Sequence, residues 1–146
     1  MVYEEMRMDI FLVPEDFHFA QCISADCKMG KGIAVEFNNH FDVKKHLEDQ
    51  KAFLMSEWDR GIKGNCVRDG RVFNLITKMN YWHKPTYSTM EAALLTLRNM
   101  TRAFSIKKLA MPRIGCGLDQ LEWGEVSEII LDVFKDDDIH ILICYI

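Results

Sequence analysis

The run Ile139-His140-Ile141-Leu142-Ile143-Cys144-Tyr145-Ile146 is almost wholly apolar, with no alternation of polar and apolar positions. A strand with one wet face alternates, and a helix with one wet face repeats every three to four residues. A short unbroken apolar run is instead expected of a strand covered on both sides, inside a sheet that carries helices on either face. It is far short of the roughly 20 residues that a membrane span needs.

The rest of the chain alternates strand-like and helix-like segments. Val2 to Met8 is short and mixed, as in an edge strand, and His18 to Ser24 reads as a strand before a glycine-rich turn. Ile33 to Phe41 is helical in pattern, and Val43 to Phe53 continues it, with Leu47 inward and charged residues outward. Asn65 to Val67 and Val72 to Thr77 flank Arg68-Asp69-Gly70-Arg71. An Asp-Gly pair between apolar runs predicts a hairpin in which both central residues take positive φ. Thr89 to Phe104 carries Leu94, Leu97 and Met100 at helical spacing. Lys108 to Met111 is a short buried strand stopped by Pro112, and Val126, Ile129, Ile130 and Val133 give Val126 to Phe134 an apolar helical face. With no linker or repeat, residues 1–146 are expected to form one domain, an α/β sandwich with a mixed sheet.

Composition removes several function classes. With 49% hydrophobic and 27% charged residues, the chain is neither disordered nor fibrous. The formal charge of -4 means that nucleic acid could bind only through a local basic patch. The five cysteines, Cys22, Cys27, Cys66, Cys116 and Cys144, form no C-x-x-C pair and offer no zinc pattern, so no metal is expected. They read as small buried hydrophobes or loop thiols of a reducing compartment, with Cys116, between two glycines, the one to watch. MVYEEMRMDIF carries acids early and has no apolar core of signal-peptide length, so an intracellular protein, nuclear or cytoplasmic, is expected.

Two loops stand out, each between a strand and a helix. The first is Lys28-Met29-Gly30-Lys31-Gly32 before Ile33-Ala34; the second is Arg113-Ile114-Gly115-Cys116-Gly117-Leu118-Asp119. Glycines there let the backbone turn sharply and expose N–H groups to an anion. Two such loops together suggest a diphosphate gripped from both sides. Neither is the P-loop of an ATPase: Ala25 stands where its first glycine belongs, and Gly32 replaces the Ser or Thr.

At these residues the chain resembles a known family. Gln21-Cys22-Ile23-Ser24-Ala25-Asp26-Cys27-Lys28-Met29-Gly30-Lys31-Gly32-Ile33-Ala34 is similar to the first phosphate loop of a macrodomain. Leu75-Ile76-Thr77-Lys78, His83-Lys84-Pro85-Thr86-Tyr87 and Met111-Pro112-Arg113-Ile114-Gly115-Cys116-Gly117-Leu118-Asp119 resemble the glycohydrolase branch of that family, in order, from about Met6 onward. The resemblance implies a three-layer α/β/α fold with a mixed, mostly parallel sheet and ADP-ribose across the strand ends. It implies that Asp9 and Ile10 meet the adenine, with Ile146 nearby. Ser24, Met29, Gly30, Gly32, Ile33 and Ala34 would line the first phosphate loop. Thr77, Pro112, Ile114, Gly115, Cys116, Gly117 and Leu118 would line the rest of the site. Without the family, Asp9 reads as a turn carboxylate.

The same resemblance implies that Lys78 attacks C1 of the distal ribose, displacing an acidic side chain, and that Asp119 helps release ADP-ribose. It needs no cofactor. The expected partners are ADP-ribose and ADP-ribosylated proteins, with ADP-ribosylated nucleic acid as a further substrate, and O-acetyl-ADP-ribose as a substrate for deacylation. Nothing suggests an obligate assembly, so a monomer is expected. Lys78 ends an apolar strand, where partial desolvation would disfavour the charged ammonium. Read on their own, Lys78 is a solvated strand-end lysine or a cation for the diphosphate. Asp119-Gln120-Leu121-Glu122 is equally a variant capping box with Asp119 as N-cap.

Three departures stand against the family. Met8 occupies a usual glycine, Ala52 to Ile62, with Trp58, looks inserted, and Asn80-Tyr81-Trp82 replaces a more basic loop. Tyr81 and Trp82 read either as loop aromatics that cover a ligand or, for Trp82, as part of the core. His83 and Lys84 fit helix-entry chemistry, with Ser88 as cap, or a place at the pocket mouth. The alternative functions are an ADP-ribose reader that turns nothing over, and an interaction module that has lost the nucleotide.

Overall fold

The computed structural model describes residues 1–146. Six strands, β1 (Val2–Arg7), β2 (His18–Ser24), β3 (Asn65–Asp69), β4 (Val72–Lys78), β5 (Lys108–Met111) and β6 (His140–Tyr145), form one sheet. Their order is β1-β6-β5-β2-β4-β3, and every neighbouring pair is parallel except β3 and β4. Five helices surround it: α1 (Ile33–Phe41), α2 (Val43–Leu47), α3 (Lys51–Asp59), α4 (Tyr87–Ala103) and α5 (Trp123–Phe134).

Period-two alternation sorts the central strands into two cores. Phe19, Ile23, Val72, Ile76, Ala110 and Leu142 face α1, α2 and α3, packing on Phe37, Val43, Leu47 and Leu54. Ala20, Phe73, Leu75, Leu109, Met111, Ile141 and Ile143 face α4 and α5, packing on Leu94, Leu97, Val126 and Ile130. This is why β6 tolerates no polar residue from Ile141 to Cys144: both of its faces are covered. The result is the expected three-layer α/β/α fold with a mixed, mostly parallel sheet.

Three local expectations need correction. In the hairpin, Asp69 stays in the ladder opposite Val72, so the two turn residues are Gly70 and Arg71, and only Gly70 takes positive φ, 56°. One glycine at the first turn position suffices. Helix α4 is capped by Thr86, whose hydroxyl accepts the Thr89 N–H while Thr89 Oγ1 accepts the Thr86 N–H. Ser88 lies inside the first turn and caps nothing. The segment after α1 is not continuous: Asp42, at φ 53°, breaks α1 from α2, and a 3₁₀ turn at Glu48–Gln50 precedes α3.

Helix α3 covers most of the segment that looks inserted. Leu54 is buried, and Met55 and Trp58 pack against the core, so one face of the segment seals the domain while Phe53 and Ile62 stay exposed. No helix is long and apolar enough to cross a membrane. The carboxyl ends of β2, β4, β5 and β6 lie side by side, where open α/β sheets bind ligands.

Candidate active site

The first loop leaves β2 already zipped to β4. The Ala25 N–H donates to the Lys78 carbonyl at 2.9 Å and the Asp26 N–H to the Met79 carbonyl at 3.1 Å. Beyond this, Cys27, Met29 and Gly32 enter the left-handed region, at φ 55°, 48° and 65°. A backbone bent this way turns successive N–H groups outward into an anion-binding concavity. Gly32 is the N-cap of α1 and no side chain caps that helix, so its first amides are left for a ligand. Met29 is buried, as is Ala34; what they bring to this loop is backbone.

The second loop follows β5. Gly115 takes φ 73°, and a Cβ there would lie 2.6 Å from Met90 Cε and 3.0 Å from Leu121 Cδ1, so any side chain would be strained and would have to push those side-chain ends aside. The Leu121 N–H closes the loop onto the Gly115 carbonyl at 2.8 Å. Ile114 is buried in the core and Cys116 half-buried, while Gly117 (φ 74°) and Leu118 are exposed. A Cβ on Gly32 would stand 3.5 Å from Leu118 Cδ1. The two loops therefore meet, with Leu118 against Gly32.

Between them lies the lysine. The pairing of β2 with β4 slips by one residue, so that Ser24 stands beside Lys78 and not Thr77. Bulges of this kind re-aim the side chains around sites. Lys78 Nζ meets Asp119 Oδ1 at 2.7 Å, and both side chains are mostly buried, 14% and 16% exposed. The capping-box reading of Asp119 gives way here. Asp119 closes a 3₁₀ turn, Gly117–Asp119, while Glu122 is the N-cap of α5 and makes no side-chain cap bond. Thr77 is buried, and its hydroxyl has no partner.

A third segment joins both loops. The buried Asp26 carboxylate accepts from the Ser24 hydroxyl, from the Lys28 N–H at 3.3 Å and from the Tyr81 N–H at 3.0 Å. Ser24 thus spends its hydroxyl on Asp26. Sequence reasoning passed over Asp26; the one trace was its position two residues before Lys28, where an aspartate closes a turn. Further along, Lys84 Nζ donates to the Leu118 carbonyl. Tyr81 and Trp82 pack edge to face, with centroids 5.2 Å apart, and are 53% and 62% exposed. Trp82 is therefore not a core residue: β4 has ended, and no layer covers the chain beyond it.

A cleft of about 200 Å³ lies beside the start of α1 and the residues that follow β1, β5 and β6. It is lined by Asp9, Ile10, Ile33, Pro112 and Ile146, and also by Met8, Glu36, Arg113, Cys144 and Tyr145. Asp9 caps a short turn, accepting the Phe11 N–H at 3.0 Å through Oδ1, as a turn carboxylate does, yet it also borders the cleft. Arg113 stacks on Tyr145, 4.1 Å from the ring centroid, and reaches Glu5 at 3.5 Å. Met8, where the family has glycine, is one of the residues that line this cleft.

All five cysteines are free thiols. Burial pushes the Cys116 thiol up, against an opposing pull from Arg113, and burial likewise raises Cys22 above its ordinary value. Neither is poised as a thiolate nucleophile. No group of three or more His, Cys, Asp or Glu side chains is arranged to hold a metal ion.

No family model matches the chain. It is similar to ADP-ribose glycohydrolase OARD1 of Homo sapiens, 41% identical over 140 residues, which cover 94% of this chain and 88% of that protein. DNA ADP-ribosyl glycohydrolase of Mycobacterium tuberculosis is 27% identical over 113 residues, 73% of this chain and 32% of that one. Among solved structures, the macrodomain of Mycobacterium tuberculosis DarG superposes with a TM-score of 0.81 at 21% identity, covering 99% of this chain and 98% of that one. The fold is the macrodomain's, and with 41% identity over nearly its whole length the chain belongs to the family of ADP-ribose glycohydrolase OARD1.

Proposed function

We propose that this protein is a hydrolase that removes ADP-ribose from modified carboxylate side chains, with Lys78 as the nucleophile. The observation that carries the reading is the Lys78–Asp119 pair, 2.7 Å apart and mostly buried, where the two glycine-bearing loops meet. A module that only binds ADP-ribose needs the loops but has no use for a buried lysine and its acid. The relatives named as ADP-ribose and DNA ADP-ribosyl glycohydrolases support the same chemistry.

In this reading the amides of both loops and the start of α1 hold the diphosphate, and the cleft beside Asp9 and Ile146 takes the adenine. That leaves the distal ribose over Lys78. The Lys78 ammonium gives up a proton to solvent, Asp119 stays ionised, and the freed amine attacks C1 of the ribose. The bond from C1 to the acyl oxygen breaks, and the acceptor leaves as a carboxylate. Water then attacks C1 with the Asp119 carboxylate as its base, and the C1–Nζ bond breaks with its electrons returning to Nζ. ADP-ribose leaves, and the proton on Asp119 passes to the amine to restore the pair. The deacylation of O-acetyl-ADP-ribose uses the same cradle for a smaller substrate.

The exposed Tyr81–Trp82 pair favours a wider acceptor range. Aromatic faces beside a nucleotide site stack on bases, and the DNA-directed relative supports including modified nucleic acid. The test is incubation with a peptide carrying ADP-ribose on one glutamate. Free ADP-ribose should appear with wild type and not with Lys78→Ala. Tight binding of ADP-ribose without any release from peptide or oligonucleotide would make the protein a reader.

A further inference from the structure

We propose that Lys84 is a positioning residue for the hydrolytic step, holding Asp119 against Lys78 through the main chain of the second loop. The inference rests on the catalytic reading of that pair. Lys84 Nζ donates to the carbonyl of Leu118, the residue immediately before Asp119. A bond to that carbonyl fixes the peptide plane from which the Asp119 side chain leaves the backbone.

Beyond Asp119 the loop is tied down by the Leu121 N–H on the Gly115 carbonyl at 2.8 Å and the Glu122 N–H on the Tyr87 hydroxyl at 3.1 Å. The residues before it have few such ties. The Leu118 side chain is 58% exposed, and a Cβ on Gly117 would meet nothing within 4 Å. On the other side Gln120 turns away in the left-handed region, at φ 66°. The turn's own bond, from the Gln120 N–H to the Gly117 carbonyl at 3.1 Å, sets its shape but not its distance from Lys78. An ammonium on a carbonyl is a charge-assisted bond, stronger than the neutral bonds around it.

The arm that carries Lys84 grows from firm ground. Pro85 is buried and restricts the backbone of Lys84, and Thr86 is locked in the reciprocal cap of α4. At its other end the segment is pinned by the Tyr81 N–H on Asp26 at 3.0 Å, and the Asn80 N–H donates to His83 Nδ1 at 3.2 Å. The chain that leaves β4 at Lys78 thus touches the first loop through Tyr81 and the second through Lys84. Nucleophile and clamp belong to one connected segment, so the spacing between Lys78 and Asp119 is set by the same piece of backbone.

The experiment compares Lys84→Met, which keeps a long apolar stem without a donor, with Lys84→Arg, which restores one. Lys84→Met should lower kcat on the order of tenfold, with KM and the affinity for free ADP-ribose within about twofold of wild type. Because a displaced Asp119 resolves the covalent intermediate poorly, intact-mass spectrometry during turnover should find ADP-ribosyl adduct on Lys78. Lys84→Arg should recover most of kcat and lose the adduct. A raised KM with unchanged kcat would mean that Lys84 meets the acceptor instead. Wild-type kcat, or a slow enzyme without adduct and without rescue by arginine, would also overturn the proposal. Turnover by Lys78→Ala would remove the reading beneath it, whereas an inactive Lys78→Ala beside an unaffected Lys84→Met would remove this inference alone.

Discussion

Lys78, the last residue of β4, and Asp119, in the loop after β5, are 41 positions apart in sequence and 2.7 Å apart in space. Their side chains are 14% and 16% exposed. A mostly buried ion pair is costly to desolvate and is weak evidence for stability, so its presence where two glycine loops meet calls for a chemical use. Asp119→Asn preserves shape but cannot accept a proton; turnover should fall by about 10² to 10⁴ while calorimetry still finds ADP-ribose bound. Lys78→Ala should be inactive and form no adduct. Asp119→Ala should accumulate an ADP-ribosyl adduct on Lys78. Only unmodified protein in that variant would speak against a covalent step.

The glycines of the two loops separate stability from binding. Alanine at Gly115 would place a Cβ 2.6 Å from Met90 Cε at φ 73°, so it should destabilise the fold by about 1–3 kcal/mol, visible in urea unfolding. Alanine at Gly30 meets nothing within 4 Å and needs no positive φ, so unfolding should be unchanged. Its methyl would stand on the exposed rim of the first loop, where the diphosphate must approach the backbone. ADP-ribose affinity should drop for Gly30→Ala with Tm preserved. Unchanged affinity would mean that the first loop does not hold the phosphates.

Much of this was legible in one dimension, for reasons tied to particular residues. The unbroken apolar run Ile139 to Ile146 requires cover on two faces, and α4 and α5 on one side with α1 to α3 on the other supply it. Pro112 ends β5 and Gly32 opens α1, as their sequence suggests. What escaped depends on contacts between distant segments. Asp119 looks alike as a helix cap and as a partner for Lys78, and only the fold of the second loop decides between them. Asp26 is an ordinary loop aspartate until Ser24, Lys28 and Tyr81 all turn donors toward it. Trp82 reads as core by composition, yet the strand before it has ended and no layer lies above. The roles of Lys78 and Asp119 came from family resemblance; charge and spacing alone leave them a strand-end lysine and a cap.

Trp82 should matter to the acceptor and not to the fold. At 62% exposure it covers little core, so Trp82→Ala should change unfolding free energy by no more than about 0.5 kcal/mol. If the ring stacks on what carries the ADP-ribose, KM for a modified peptide or oligonucleotide should rise by roughly five- to tenfold, about the worth of one aromatic contact. Affinity for free ADP-ribose, which lacks the acceptor, should stay as it was. A parallel loss for both ligands would place the ring over the nucleotide itself.

Far from the cleft, at the amino ends of the strands, Arg102 grips Asp137 through two nitrogens, with contacts of 2.6 to 3.1 Å. The guanidinium holds the Asp137 carboxyl below its usual range, burial opposing only in part. A carboxylate depressed in the folded state binds protons more weakly than in the unfolded chain. Its contribution is therefore complete above the unfolded value, near pH 4, and lost as pH falls through the folded one. Arg102 is 50% exposed, so solvent limits the pair to about 1 kcal/mol. Asp137→Asn should accordingly cost about that much at pH 7. The gap from wild type should narrow below roughly pH 4 and close in stronger acid, as both chains come to carry a neutral side chain there. Chemical denaturation of the two proteins between pH 3 and pH 8 measures it. A gap that stays constant across that range would show that Asp137 acts through packing or its main chain and not through charge. ADP-ribose release should be the same in both at neutral pH, because this pair touches neither glycine loop.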